Sequence, residues 1–201
     1  MSVIIKFAAA ALALAFTAEI AAAKVVVRER TRYYAVSGKT GAQLLASIGR
    51  RGSRGAGARH AIATTQIAMQ TKVKPVIRGS RCVYANTTVI LNLTYRYPRW
   101  RGERRASPRV RKAWKQFLAR VVAHERNHGR IAKKYAARID REFRRTSRSV
   151  RSGCADRGGR QARRFVRLMA AHDREHRRFD RRESRASARV RRLQRALGRQ
   201  R

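Results

Sequence analysis

Acidic residues are scarce in this chain of 201 residues, which has 11 Asp and Glu against 51 Lys and Arg. The formal net charge is therefore +40 at pH 7, and mutual repulsion destabilises the free chain at low salt. The scarcity also argues against a carboxylate-bridged di-metal site, which needs carboxylates from two further helices. That alternative rests only on Glu125-x-x-His128 and Asp173-x-x-His176, which have its i,i+3 spacing.

Long apolar runs are also lacking. The apolar segment from Phe7 to Phe16 is short for a membrane anchor, which is the alternative reading of this region. It follows Lys6 and precedes the small residues Ala21–Ala23, an order typical of a cleaved signal peptide. We therefore predict that residues 1–23 are removed and that residues 24–201 form one domain in the periplasm or outside the cell.

Cysteine is rare, since Cys82 and Cys154 are the only two in the chain. An exported protein enters an oxidising compartment, where an even pair predicts one disulfide bond. Two unrelated buried thiols are the alternative. The disulfide would join a strand to the loop between the last two long helices.

Two kinds of periodicity divide the mature chain. Residues 24–100 contain stretches in which apolar and polar residues alternate, and this pattern predicts strands. Thr40 is placed to cap a short helix between the first two strands. From residue 107 apolar residues recur every three or four positions, which predicts helices. We expect an α+β fold, in which a small antiparallel sheet with one short helix is followed by a long antiparallel helical hairpin. The predicted strands span 25–36, 61–73 and 81–95, and the predicted long helices span 107–147 and 160–199.

The glycine-rich stretch 49–59 does not have the signature of a nucleotide-binding loop. Its glycine spacing differs from that of a phosphate-binding loop, and the closing Lys-Ser or Lys-Thr is absent. We therefore interpret it as a connecting loop.

The most specific motif is His124-Glu125-Arg126-Asn127-His128, which reads H-E-x-x-H inside the first long helix. Residues four apart lie on one face of a helix, so both imidazoles can bind one Zn²⁺ ion. Glu125 would act as the general base that assists attack of the zinc-bound water on a peptide bond. The motif therefore predicts a zinc metallopeptidase-like hydrolase, which needs one more protein ligand.

The second long helix offers candidates for this third ligand. His172 and His176 form another i,i+4 pair, and a hairpin folded near residue 150 places them opposite the H-E-x-x-H motif. Asp180 follows one turn later on the same face, either as a ligand or as a group that orients a ligand imidazole. A pair of surface histidines in a polar run is the alternative for His172 and His176.

The order of several short motifs resembles a bacterial family of predicted secreted zinc-dependent proteases, over most of the mature chain. The matching positions are Tyr34-Ala35-Val36-Ser37-Gly38-Lys39-Thr40, Cys82 before a Val-rich strand, Tyr97-Pro98-Arg99-Trp100, Trp114, the H-E-x-x-H motif, Cys154 and Phe179-Asp180. The resemblance implies a secreted protein of metallopeptidase type.

One element departs from the family pattern, which ends in Tyr-Asp-x-x-Thr-x-His-Gly. Here the stretch Phe179–Ala186 lacks the late His-Gly. If that histidine is the third ligand of the family, this chain uses His172, His176 or Asp180 instead.

The basic composition supports a second hypothesis from another class. The cations are mostly Arg, whose planar guanidinium suits phosphate and carboxylate groups. The chain is then a non-catalytic envelope protein that binds polyanions such as nucleic acid, anionic lipid or acidic polysaccharide. For a hydrolase, the same charge favours acidic peptides or proteins as substrates and attachment to an anionic envelope polymer or membrane surface. The alternative to both roles of the charge is that the Arg side chains only form a solvated surface.

Overall fold

The computed structural model describes residues 24–54, 60–78, 81–147, 157–186 and 188–200. The predicted signal peptide and Cys154 lie outside these ranges, and the side chain of Cys82 is not described either. Cleavage before Lys24 and the Cys82–Cys154 disulfide therefore stay predictions. Within the described ranges, no helix combines the length and the apolar character needed to cross a bilayer.

The protein combines a three-stranded sheet with helices that pack against it, so the α+β class is confirmed. A 3₁₀ turn at Glu103–Arg105 joins the sheet to the long helices. In chain order the elements are β1 (Lys24–Ser37), α1 (Gly41–Arg51), β2 (Ser53–Arg54), β3 (His60–Ala61), β4 (Thr64–Arg78), β5 (Arg81–Arg101), α2 (Pro108–Ser147), α3 (Arg157–Ala186) and α4 (Ala188–Gly198).

The sheet is mixed, with the strand order β1-β5-β4. β4 and β5 form an antiparallel hairpin, whereas β1 runs parallel to β5 from Lys24↔Thr88 to Ser37↔Arg101. The prediction of an antiparallel sheet is therefore wrong for β1. Alternation of apolar and polar residues identifies a strand but not the strand it pairs with. In the chain, α1 and the β2–β4 segment lie between β1 and its partner β5.

The short helix α1 begins with the predicted cap. The Thr40 hydroxyl accepts a hydrogen bond from the Gln43 amide at 3.3 Å, and the Gln43 side chain accepts one from the Thr40 amide at 3.3 Å. This reciprocal capping box satisfies amides that a helix start leaves unpaired. Leu44 and Ile48 face the core.

Helix α2 covers one face of the sheet and contributes more residues to the described core than any other element. Pro108 opens it, and the Ser107 hydroxyl accepts a weak hydrogen bond from the Val110 amide at 3.4 Å. Each fully buried large apolar side chain contributes about 1.5–3 kcal/mol to the free energy of folding. The buried residues of α2 that face the core include Val110, Trp114, Phe117, Val121, Ala132, Ala136, Ile139 and Phe143, and those of β5 include Val89, Leu91, Leu93, Tyr95 and Tyr97.

The predicted helix 160–199 is two helices, α3 and α4. The apolar pattern does not reveal the change because both helices keep the same spacing. The reason is tertiary: Leu197 of α4 is fully buried in the core, and its carbonyl lies against α1. A Cβ added to Gly41 would lie 1.5 Å from the Leu197 carbonyl oxygen, so only glycine fits there.

Candidate metal centre

Three side chains from two helices converge at one end of the α2–α3 interface. The Nε2 atoms of His124 and His128 are 3.3 Å apart. Asp180 of α3 places its Oδ1 3.1 Å from His128 Nε2 and 3.6 Å from His124 Nε2. His128 is largely buried and Asp180 is half exposed, so the cluster opens towards solvent on the α3 side.

The shape of this triangle fits a metal ion. Tetrahedral zinc with ligands at about 2.0–2.1 Å holds neighbouring ligand atoms about 3.3 Å apart. The three edges of 3.1, 3.3 and 3.6 Å lie close to that separation. Two imidazoles and one carboxylate are also a donor set that zinc accepts in catalytic sites, with the fourth position left open. The residues present therefore fit Zn²⁺, and the group could hold a metal ion.

Phe179 and Glu183 border the ligand imidazoles. The Phe179 ring lies 4.9 Å from the ring of His124 and 5.1 Å from that of His128, measured between centroids. On the other side of His124, a Glu183 carboxylate oxygen lies 3.9 Å from Nδ1 and also pairs with Arg120 at 3.4 Å. These neighbours restrict rotation of the two rings and favour the orientation in which both Nε2 atoms point to Asp180.

Glu125 is buried, with 7% of its surface exposed. The Thr65 hydroxyl of β4 donates a hydrogen bond of 2.6 Å to Glu125 Oε2. A buried carboxylate needs such a donor, because an unpaired one loses its hydration without compensation. Thr65 thus fixes the Glu125 side chain between the sheet and α2.

Two tyrosines of β5 lie beneath the same part of α2. Burial raises the pKa of Tyr97 to about 12, and the nearby Glu125 carboxylate adds to the rise. The Tyr97 hydroxyl is buried and has no hydrogen-bond partner among the described residues. Gly129 makes room for Tyr95, whose hydroxyl lies 1.9 Å from where a Cβ would be.

Residues 31–187 match the sequence model of a bacterial family, described as "Bacterial protein of unknown function (DUF922)". The chain belongs to this family. The match runs from β1 to the start of the α3–α4 connection and includes His124, Glu125, His128 and Asp180. Searches of curated proteins and of solved structures give no match. Membership of the DUF922 family places the chain in a bacterial family of unknown function and does not confirm the predicted family of secreted zinc-dependent proteases.

In this DUF922 protein, His172 and His176 lie beside the triangle rather than in it. His176 contacts His128 on the side away from Asp180, and His172 lies one turn before His176 in α3. Of the three candidates for a third ligand, Asp180 is the one that shares a ligand triangle with His124 and His128. The predicted hairpin register is confirmed, since α3 does bring its histidine pair to the motif.

Burial affects the ring nitrogens of the cluster. It lowers the pKa of His128, although the Asp180 carboxylate opposes this shift. Burial also lowers the pKa of His176 to about 4, and the neighbouring His172 and His128 lower it further. Both imidazoles are therefore neutral at pH 7 and offer a lone pair, as metal binding requires.

The carboxylates do not meet as a di-metal site requires. Glu125 is directed to Thr65, and Asp173 contacts His172. Within the described residues, the grouped ligand atoms comprise one carboxylate and two imidazoles. The structure therefore favours a single-metal site over the carboxylate-bridged alternative.

Proposed function

We propose that this protein is a zinc-dependent hydrolase of peptide bonds. The observation that carries the proposal is the ligand triangle of His124, His128 and Asp180 next to the buried carboxylate of Glu125. Two imidazoles from one helix and a carboxylate from the next leave one side of the cluster open to solvent. When bound, zinc polarises a carbonyl group and lowers the pKa of water towards about 7.

Glu125 acts as the general base in the proposed reaction. Its carboxylate accepts a proton from the attacking water as the C–O bond forms, and then passes that proton to the amine nitrogen as the peptide C–N bond breaks. Thr65 donates to only one of the two carboxylate oxygens. The hydrogen bond orients the base while leaving Oε1 available for the proton.

The free edge of β4 supplies a place for an extended substrate. β5 is the central strand, so its residues 88–94 have partner strands on both sides and offer no free edge. β4 has no strand on its outer side within the described part of the sheet. Because Thr65 of β4 touches Glu125, a peptide that pairs with this edge runs past the base.

The proposal includes the exported setting. Residues 24–201 would meet peptide or protein substrates in the periplasm or outside the cell, and the Arg-rich surface would favour acidic ones.

The proposed function is tested on purified mature protein by measuring metal content and peptide hydrolysis in the same preparation. We expect one zinc ion per chain and cleavage of unstructured acidic peptides. Cleavage should stop after chelation and return when one equivalent of Zn²⁺ is added. A chain that carries zinc but cleaves no peptide in a broad peptide library would contradict the hydrolase.

A further inference from the structure

A row of ring contacts leads away from the ligand triangle through α3. His128 Nδ1 lies 2.7 Å from His176 Nδ1, and His176 Nε2 lies 2.9 Å from His172 Nε2. The row ends at Asp173, whose Oδ1 is 2.9 Å from His172 Nδ1. All three distances are within the range of hydrogen bonds.

With all three imidazoles neutral and Asp173 ionised, only one arrangement of protons satisfies this row. A neutral imidazole has one N–H group and one lone pair. The Asp173 carboxylate only accepts, so His172 carries its proton on Nδ1 and offers the Nε2 lone pair to His176. His176 then donates from Nε2 and accepts at Nδ1, which requires that His128 carries its proton on Nδ1.

This order of protons leaves the His128 Nε2 lone pair free, and that atom belongs to the ligand triangle. We propose that His176, His172 and Asp173 are positioning residues that hold His128 in its metal-binding tautomer. They are not ligands themselves. The inference rests on the proposed zinc site and adds that a histidine relay supports it. The burial of His172, which is 4% exposed, shields the row from competing water.

The relay is tested by removing its middle member. His176→Ala should lower the Zn²⁺ affinity by about 10–100-fold, the usual effect of losing a group that orients a metal ligand. His176→Gln should recover part of the loss, because its amide oxygen can accept the His128 N–H. Glu175→Ala is the matched control, since it removes a polar side chain from the same turn of α3 that pairs with Lys134. Affinity is measured by competition with a chromogenic chelator, and circular dichroism reports folding.

Two further measurements separate this relay from other arrangements. X-ray absorption should show two imidazoles on the zinc in the parent and still two in His176→Ala. ¹⁵N NMR of the parent should show His128 protonated at Nδ1. An unchanged affinity in His176→Ala, or the loss of one imidazole from the zinc, would overturn the relay. A parent that binds zinc without cleaving peptides overturns the hydrolase alone, whereas a parent that binds no zinc overturns both.

A different observation concerns the sheet face that points away from α2. On β1, Tyr33 contacts Tyr97 and Glu29 pairs with Lys133 of α2, so these side chains point towards the helix. Side chains alternate along a strand, which directs Arg28, Arg30 and Arg32 to the opposite face. Their register partners there are Asn92, Thr94 and Arg96 on β5 and Ala68, Gln66 and Thr64 on β4.

This outer face is cationic and contains no acid among the described residues. Glu29 is the only acidic residue in the chain between residues 24 and 101, and it lies on the inner face. Gln66 and Ala68 are exposed, and Asn92, Thr94 and Arg96 are half exposed, so no described element covers this part of the face. Amide and hydroxyl groups thus lie between guanidinium groups on a solvated surface.

We infer that this outer sheet face binds an acidic polysaccharide. Guanidinium groups pair with carboxylates, and the Asn, Gln and Thr side chains can hydrogen-bond to sugar hydroxyls. The exposed Tyr33 ring belongs to the inner face, and the Tyr34 ring is buried beneath Arg96. The described aromatic rings therefore offer no stacking platform for nucleic acid bases here.

The face is tested with a triple variant, Arg28→Gln, Arg30→Gln and Arg32→Gln. Its control, Arg163→Gln, Arg167→Gln and Arg174→Gln, removes the same charge from exposed positions on α3. Binding to polygalacturonate should weaken about tenfold in the first variant, with a shallower salt dependence, and little in the control. The inference would be overturned if both variants lost the same affinity for polygalacturonate. It would also be overturned if the parent bound neutral dextran as well, or bound single-stranded DNA or anionic vesicles more tightly than polygalacturonate.

Discussion

Replacing Asp180 by alanine is expected to lower the affinity for Zn²⁺ by about a hundredfold or more. Apparent zinc-binding free energies of about 10–16 kcal/mol for four-ligand sites give roughly 3 kcal/mol per ligand, or about two orders of magnitude. Asp180 supplies the third corner of the triangle, and its Oδ1 contacts both ligand imidazoles. The measurement is competition with a chromogenic chelator at pH 7.

Glu175→Ala is again a suitable control, because it removes a carboxylate from the same helix outside the triangle. Its carboxylate pairs with Lys134, which lowers the pKa of Glu175. The control should therefore bind zinc as tightly as the parent. If Asp180→Ala also kept the parental affinity, the third ligand would have to be sought elsewhere.

The zinc-loaded Glu125→Gln variant is expected to cleave peptides about 10²–10⁴-fold more slowly than the parent, which is the usual contribution of a general base. The amide oxygen of glutamine can still accept the Thr65 hydroxyl, so the buried hydrogen bond and the fold should survive. Glutamine cannot take the proton from water, so the loss should appear in kcat while the zinc content stays the same.

Glu142→Gln makes the same chemical change on α2 at a surface position, where Glu142 pairs with Arg164. Exposed pairs of this kind contribute little to stability, so this variant should cleave at the parental rate. Equal rates for Glu125→Gln and the parent would show that another group takes the proton.

Much of the framework could be predicted because it depends on local signals. The Thr40 cap, the start of α2 at Pro108 and the i,i+4 histidine pairs are all written within a few residues of sequence. The positions of the two histidine pairs on either side of a predicted hairpin also placed α3 beside α2. Asp180 was already a candidate ligand because it follows His176 by one turn.

What escaped prediction depends on contacts between distant segments. Thr65 is 60 residues from Glu125 and has no motif around it, so nothing in the sequence indicated that it donates to the base. The direction of β1 and the division between α3 and α4 escaped for the same reason. Identifying Asp180 rather than His172 or His176 as the third corner requires knowing how α3 is rotated about its own axis. The spacing of apolar residues alone does not determine that rotation.

The contact between Gly41 and Leu197 also bears on how the chain reaches its folded state. Gly41 donates a backbone hydrogen bond to the Gln200 carbonyl at 2.9 Å, next to the place where Leu197 fills the core. α1 is made early and α4 is the last described element to leave the ribosome. Until α4 has emerged, the pocket that receives Leu197 stays open, and loop closure over most of the chain is still to come. Folding of this long-range core is therefore expected to be completed only after α4 has been made, which keeps the earlier elements unfolded for longer as they emerge.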